Sequence, residues 1–145
     1  MNSLIQHHYL HKELYCLIME PVCKQYDLNM AELLILIFVY DNPEHNTASD
    51  IVSALKLAKS HVSISIRTLE DRGYIQCFHE NGNRRSVRLK YSDSAIPVIA
   101  YGKDIQNKYF DILFTDFSDN ERSLLYSMID RLNVNAQNYV RESYQ

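Results

Sequence analysis

The stretch TASDIVSALKLAKSHVSISIRTLEDRGYIQCFHENGNRRSVRLKYS, residues 47–92, decides the fold. Thr47 opens a short helix, with Asp50 placed to favour the positive end of its dipole and Ile51 and Leu55 turned inward. Lys56-Leu57-Ala58 is a tight connection. A longer helix follows from about Lys59 to Arg72, with Val62, Ile66 and Leu69 on one face and Ser60, His61, Ile64, Arg67 and Thr68 on the other. Gly73 ends it, because glycine takes the left-handed conformation that helix ends favour. The period then changes: 74–78 and 86–90 read as two strands around 79–83, whose Asn81-Gly82 is a strong turn signal. Short helix, tight turn, longer helix with a polar outward face, then a hairpin with a basic tip is the order of a winged helix-turn-helix.

Upstream, Leu4, Leu10, Leu14, Leu17, Ile18 and Val22 recur at helical spacing, and Pro21 is expected to bend or end that first helix. A second helix starts at Asn29, where Asn29 and Glu32 have the elements of a reciprocal cap, and is expected to bury Leu33, Leu34, Ile37 and Phe38. Asp41-Asn42-Pro43 stops it. Downstream, Ser92 or Ser94 starts a long helix reaching about Phe117, and Pro97 fits best if Ser94 is the cap. It carries one apolar stripe through Val98, Tyr101, Ile105, Tyr109 and Ile112, and a second through Ile99, Phe110, Leu113 and Phe117. A final helix opens on the capping box Ser118/Glu121 and carries Leu125, Met128, Ile129, Leu132, Ala136 and Tyr139. Two stripes on one helix exceed what a small lobe can cover, so a second copy of the chain is expected to bury the excess.

The formal charge of −3 over 145 residues hides an asymmetry. From Lys56 to Lys90 eight basic residues stand against three acids, whereas the flanks carry seven basic and fifteen acidic residues. An acidic frame around a basic centre is the footprint of a surface that meets a polyanion. The composition, 46% apolar and 23% charged, is that of one globular domain and excludes a disordered tail. The longest apolar run, Ala31 to Tyr40, is broken by Glu32 and is half of the ~20 residues a membrane span needs. The opening residues lack the basic and apolar regions of a secretion signal, so a cytoplasmic address is expected. Three scattered glycines, Gly73, Gly82 and Gly102, cannot form a phosphate-cradling loop, and no enzyme motif accompanies the plentiful Ser, His and Asp.

Base or phosphate contact falls on the longer helix of the motif. Ser60, Ser63, Ser65 and Thr68 are short hydroxyls where solvated helix faces favour Glu and Lys, and with them stand Lys59, His61, Ile64 and Arg67. Ile64 is of a kind either to touch a thymine methyl or simply to pack. Thr47 and Ser49 on the shorter helix, and Asn83, Arg84 and Arg85 at the hairpin tip, complete the expected DNA-binding set. His7 and His11 lie one helical turn apart near His8, Glu13, Cys16 and Glu20, but structural zinc usually needs four ligands in recognisable spacing, so no metal or other cofactor is expected. Cys16 and Cys23, about 10 Å apart along one helix, cannot bridge without breaking it, and no neighbouring cation activates either thiol. Tyr9, Tyr15, Tyr26, Tyr101, Tyr109 and Tyr126 serve core and dimer packing, or line an aromatic effector pocket.

Thr47-x-x-Asp50-Ile51-Val52, Lys59-Ser60-His61-Val62-Ser63, Leu69-Glu70-Asp71-Arg72-Gly73-Tyr74-Ile75 and Asn83-Arg84-Arg85-Ser86-Val87 together resemble the MarR family of bacterial transcription regulators, and the order of helices agrees over essentially the full length. The resemblance implies a mainly α fold with a small β-hairpin wing. Residues 1–28 and 92–145 would be dimerisation helices around a DNA-binding lobe at 29–91. It also implies a homodimer on near-palindromic double-stranded DNA, a repressor more often than an activator, often loosened when a small molecule or oxidant is sensed. The sequence departs from the family at four places. Asn83 replaces the usual wing Asp, Cys77 stands for a frequent arginine, and Tyr91-Ser92 replaces Leu-Thr, with the Ser92 hydroxyl expected to keep the cap. Ala58 stands where many members cap the recognition helix with Ser, Thr or Asp. The alternative is a winged-helix module that meets an acidic protein in place of DNA.

Overall fold

The computed structural model describes residues 3–79 and 86–143 and, among them, six helices and one antiparallel hairpin. In chain order these are α1 (Ser3–Tyr26), α2 (Met30–Asp41), α3 (Ala48–Leu55), α4 (Lys59–Asp71), β1 (Ile75–His79), β2 (Val87–Tyr91), a 3-10 turn (Asp93–Ala95), α5 (Ile96–Leu113) and α6 (Asp119–Ser143). The chain forms two compact units, whose boundary falls inside α5 between Tyr109 and Phe110.

In the first unit α2 is the central element. Asn29 and Glu32 cap it reciprocally, each backbone N–H donating to the other's side chain at 2.9 Å. Ala31, Glu32, Leu33, Ile35, Leu36, Ile37 and Val39 are all buried, so the helix is enclosed on nearly every side where the sequence pattern marks a single stripe. Leu34 and Phe38, expected in the core, are only partly buried. Met19 and Val22 of α1, Ile51 of α3, Val62, Ile66 and Leu69 of α4, Leu89 of β2, and Val98 and Ile99 of α5 join the same cluster. Gly102 is buried in α5, and a Cβ there would stand 3.0 Å from Ile37 Cδ1 and 3.3 Å from Leu33 Cδ1.

Several expectations need correction. Pro21 does not end α1, which continues to Tyr26; Pro21 is exposed while Met19 and Val22 beside it are buried, so core packing holds the helix across the missing hydrogen bond. Leu10 and Leu17 are exposed, and Met19 is buried in their stead. Each strand begins one residue later than its sequence pattern suggests. Tyr74 still belongs to the end of α4, its N–H donating to the Leu69 carbonyl while that of Gly73, at φ +74°, donates to Glu70. Ile75 to His79 then pair with Tyr91 to Val87. Neither Ser92 nor Ser94 caps a long helix: both hydroxyls turn back to the Gly73 carbonyl, and a 3-10 turn precedes α5. α5 stops at Leu113, four residues before Phe117, and the chain turns through Asp116 at φ +64°.

In the second unit Ser118 and Glu121 form the expected capping box, the Ser118 N–H and hydroxyl both donating to the Glu121 carboxylate at 2.8 Å. Phe114 is buried there against Phe117 and Tyr126, with the Arg122 guanidinium 5.3 Å above its ring. No residue of the 25-residue α6 is buried.

The two helices of the helix-turn-helix begin in opposite ways. Thr47 and Asp50 form a full capping box on α3, with the Thr47 hydroxyl donating to the carboxylate at 2.7 Å and its N–H at 2.9 Å. These two bonds hold the Asp50 carboxyl below its ordinary range. α4 starts at Ala58 with extended backbone and no side-chain cap. Ala58→Ser should therefore stabilise the domain by about 1 kcal/mol, read as a raised melting temperature; an unchanged or lower one would contradict this helix start. Asp50→Asn should lower the urea midpoint at neutral pH. Because folding depresses the Asp50 pKa, its contribution is complete above the unfolded value of about 3.9 and disappears as pH falls through the lower folded value, so wild type and variant should converge in acid.

Candidate nucleic-acid interface

The turn that sets α4 against α3 is built from Lys56 in the left-handed region at φ +54°, followed by Leu57 and Ala58. Its three residues bring the two helices together across a shallow groove of about 300 Å³ lined by Ala48, Ser49, Val52, Ser53, Lys59 and Ser63. Three of the expected contact residues, Ser49, Lys59 and Ser63, thus share one depression.

On α4 the pattern 62, 65, 66, 69 faces the core and leaves Ser60, His61, Ser63, Ile64 and Arg67 exposed, with Thr68 at the margin. Ser65 belongs to the inner face, not the outer one: it is 1% exposed, and its hydroxyl has no hydrogen-bond partner among the described residues. The remaining hydroxyls are not alike. Ser63 donates to the Lys59 carbonyl at 3.0 Å and Thr68 to that of Ile64 at 3.1 Å, which leaves each oxygen outward chiefly as an acceptor. Among the described residues no hydrogen bond or ion pair is recorded for Ser60, His61 or Arg67. Thr47 sits at the rim, half-buried, its hydroxyl engaged with Asp50. Asn83, Arg84 and Arg85 lie outside the described residues.

Two arginines that sequence reading did not single out position these elements. Arg72 donates to the carbonyls of Tyr26 and Asp27 and lies 5.2 Å from the centre of the Tyr74 ring. It fastens the end of α1 to the end of α4, and its charge meets the carbonyl end of α1, where the helix dipole is negative. Arg88 of β2 donates to the Glu44 carbonyl at 2.7 Å and to Asn46 Oδ1 at 3.3 Å, while Leu89 N–H donates to the Asn46 carbonyl at 3.0 Å. Thr47 and Arg88 form a β-bridge, so the wing's second strand is tied to the segment that leads into α3. The local signal was slight: Asn46 reads as loop polarity, yet it is buried and its amide donates to the Pro43 carbonyl at 2.8 Å.

The other candidate groups are occupied differently. His11 shares a hydrogen bond with the Tyr109 hydroxyl at 3.2 Å, and its ring lies 3.8 Å from that of His7; burial and then His7 lower its pKa. Tyr15 packs edge-on against Tyr109 at 5.2 Å and accepts from the Gln106 amide at 2.6 Å. Among the described residues no three His, Cys, Asp or Glu side chains are grouped so as to hold a metal ion. Cys16 and Cys23 line a shallow groove with Glu13, Leu17, Glu20 and Met30, so acids rather than cations surround them. Burial, then neighbouring Cys16, Glu32 and Glu20, pushes the Cys23 thiol up. Burial and a hydrogen bond to Glu70 push Cys77 up to about 11. No described helix is long and apolar enough to cross a membrane.

Comparison with known proteins agrees with this architecture. Residues 28–87 match the model of the MarR family. The chain is 28% identical over 109 residues to the HTH-type transcriptional regulator BilQ of Clostridioides difficile (strain CD3), covering 75% of this chain and 71% of that one. Its fold matches a MarR protein from Peptoclostridium difficile DA00132 with a TM-score of 0.80 at 19% identity, over 96% of this chain and 90% of the other. It also matches a putative MarR family transcriptional regulator from Listeria monocytogenes, complexed with 26mer DNA, with a TM-score of 0.84 at 16% identity, over 98% and 95% of the two chains. Through its winged helix-turn-helix lobe, residues 28–87, the chain matches the MarR family model, and it is similar to a transcriptional regulator of the helix-turn-helix type.

Proposed function

We propose that the chain is a sequence-specific regulator of transcription that binds double-stranded DNA as a homodimer, with α4 in the major groove and the wing over the adjoining backbone or minor groove. The observation that carries this reading is the outward face of α4: Ser60, His61, Ile64 and Arg67 are exposed together on a helix whose opposite face is locked into the core. Thirteen residues make a rod about 20 Å long, a fit for the major groove, where base edges differ for every pair. Lys59 at its start, and Arg84 and Arg85 in the wing, supply the cations that phosphates attract. The DNA held by the Listeria neighbour, a protein of the same fold, supports the reading.

The homodimer is supported by apolar surface that each unit leaves uncovered. Tyr9, Leu10 and Leu17 of α1 are exposed in the first unit, and Leu124, Met128, Leu132 and Val140 of α6 in the second. A twofold pair would set two α4 helices about one DNA turn apart and so select a near-palindromic operator. Occupancy of that operator would repress the adjoining gene, and an effector that altered the spacing of the two helices would release it.

Selection of bound fragments from random duplex by the purified protein, with sedimentation to count subunits, tests the proposal. A dimer that binds random duplex weakly in dilute salt and enriches a twofold-symmetric sequence is expected; a lone subunit indifferent to duplex would overturn it. Arg67→Ala should weaken the selected site by roughly five- to a hundredfold if it meets a base. Arg85→Ala should reduce the slope of log affinity against log salt by about one per protomer. Ser65→Ala removes an unpaired buried hydroxyl, so both stability and DNA affinity should be kept or rise slightly; lost affinity would place Ser65 at the interface.

A further inference from the structure

Ile64 is 65% exposed at the middle of α4, flanked one turn before by Ser60 and His61 and one turn after by Arg67 and Thr68. It is the one large apolar side chain on that outward face among the described residues, and it has no part in the hydrophobic cluster. Isoleucine has no virtue on a solvated helix face: its branched side chain is a weaker helix former than Lys or Glu, and it presents apolar surface to water. Two of the hydroxyls around it, those of Ser63 and Thr68, are also less able to donate than the sequence suggests, because they give their protons to carbonyls of the same helix. The face that would meet a base edge is therefore an apolar centre, with acceptor oxygens at Ser63 and Thr68 and donors at Arg67, His61 and Ser60.

A DNA major groove has one apolar group to match such a centre, the 5-methyl of thymine. We propose that Ile64 is a specificity-determining residue that reads a thymine methyl, and that Arg67 one turn on reads a guanine in the same half-site. This rests on the DNA-binding reading above. The spacing of one helical turn, about 5 Å, against a base-pair rise of about 3.4 Å places the thymine within about two base pairs of the guanine. The reading differs from a hydroxyl-donor code, in which Ile64 would be a bystander between Ser63 and Thr68.

Thymine-to-deoxyuridine exchange tests it, since the exchange deletes the methyl and preserves base pairing. On a duplex enriched by wild type, each thymine of the half-site is replaced in turn, and affinity is measured for wild type, Ile64→Val and Ile64→Ala. At one thymine per half-site the exchange should weaken wild-type binding roughly three- to tenfold, the worth of one buried methyl contact. Ile64→Val, which keeps a branched apolar tip, should retain part of that sensitivity, and Ile64→Ala should lose it while binding the duplex at every uridine position alike. Circular dichroism should be unchanged in both variants, because the side chain is exposed and is no member of the hydrophobic cluster. If wild type and Ile64→Ala respond alike to every uridine while both bind the duplex, Ile64 does not read the methyl and the proposal falls, with DNA binding intact. If wild type enriches no duplex at all, the DNA-binding reading falls and takes this one with it.

Discussion

The helix α2 is apolar on nearly every side, and the first unit is arranged around the need to cover it. A surface helix needs one covered face; α2 carries seven buried residues in twelve, so α1, α3, α4, α5 and the wing all contribute side chains to its surroundings. That constraint fixes the close approach at Gly102, where a side chain of any size would press on Ile37. It also explains why Pro21 is tolerated, since the burial of Met19 and Val22 outweighs one absent backbone bond. The inner face of α4 is held by the same cluster. The outer face is free to be chosen for other purposes because the inner one has so few alternatives.

Much of this is legible in the sequence, and the reason differs from element to element. Caps are readable because they are local: Asn29 with Glu32 and Ser118 with Glu121 each form the reciprocal bonds their spacing implies, while Asp50, placed in the sequence by the helix dipole, also completes a capping box with Thr47. The order of short helix, turn, longer helix and hairpin followed from changes of period, and Gly73 ends α4 at positive φ as its chemistry demands. Contacts between distant segments were not readable. Nothing local says that Ser92 and Ser94 would abandon a capping role for the Gly73 carbonyl, or that Arg88 would reach Glu44 and Asn46. Both require knowledge of which backbone carbonyls are left unpaired after folding.

The candidate site divides the same way. The exposed row Ser60, His61, Ile64 and Arg67 follows from helical period alone. Ser65 was misplaced because a serine reads as polar and therefore outward, whereas its position between Val62, Ile66 and Leu69 puts it inside. Hydroxyl orientation is finer still: Ser63 and Thr68 lie where period puts them, but their bonds to the preceding turn change what they offer a partner.

The guanidinium of Arg72 joins two carbonyls at the end of α1 to the foot of α4. Two N–H groups on one rigid plane fix an angle as well as a separation, in the manner of a bracket with two screws rather than a single pin. The C-terminal ends of the first and fourth helices are thus joined in orientation, in addition to the apolar contacts they share, and a lysine at this position, with one swivelling ammonium, would supply no such plane.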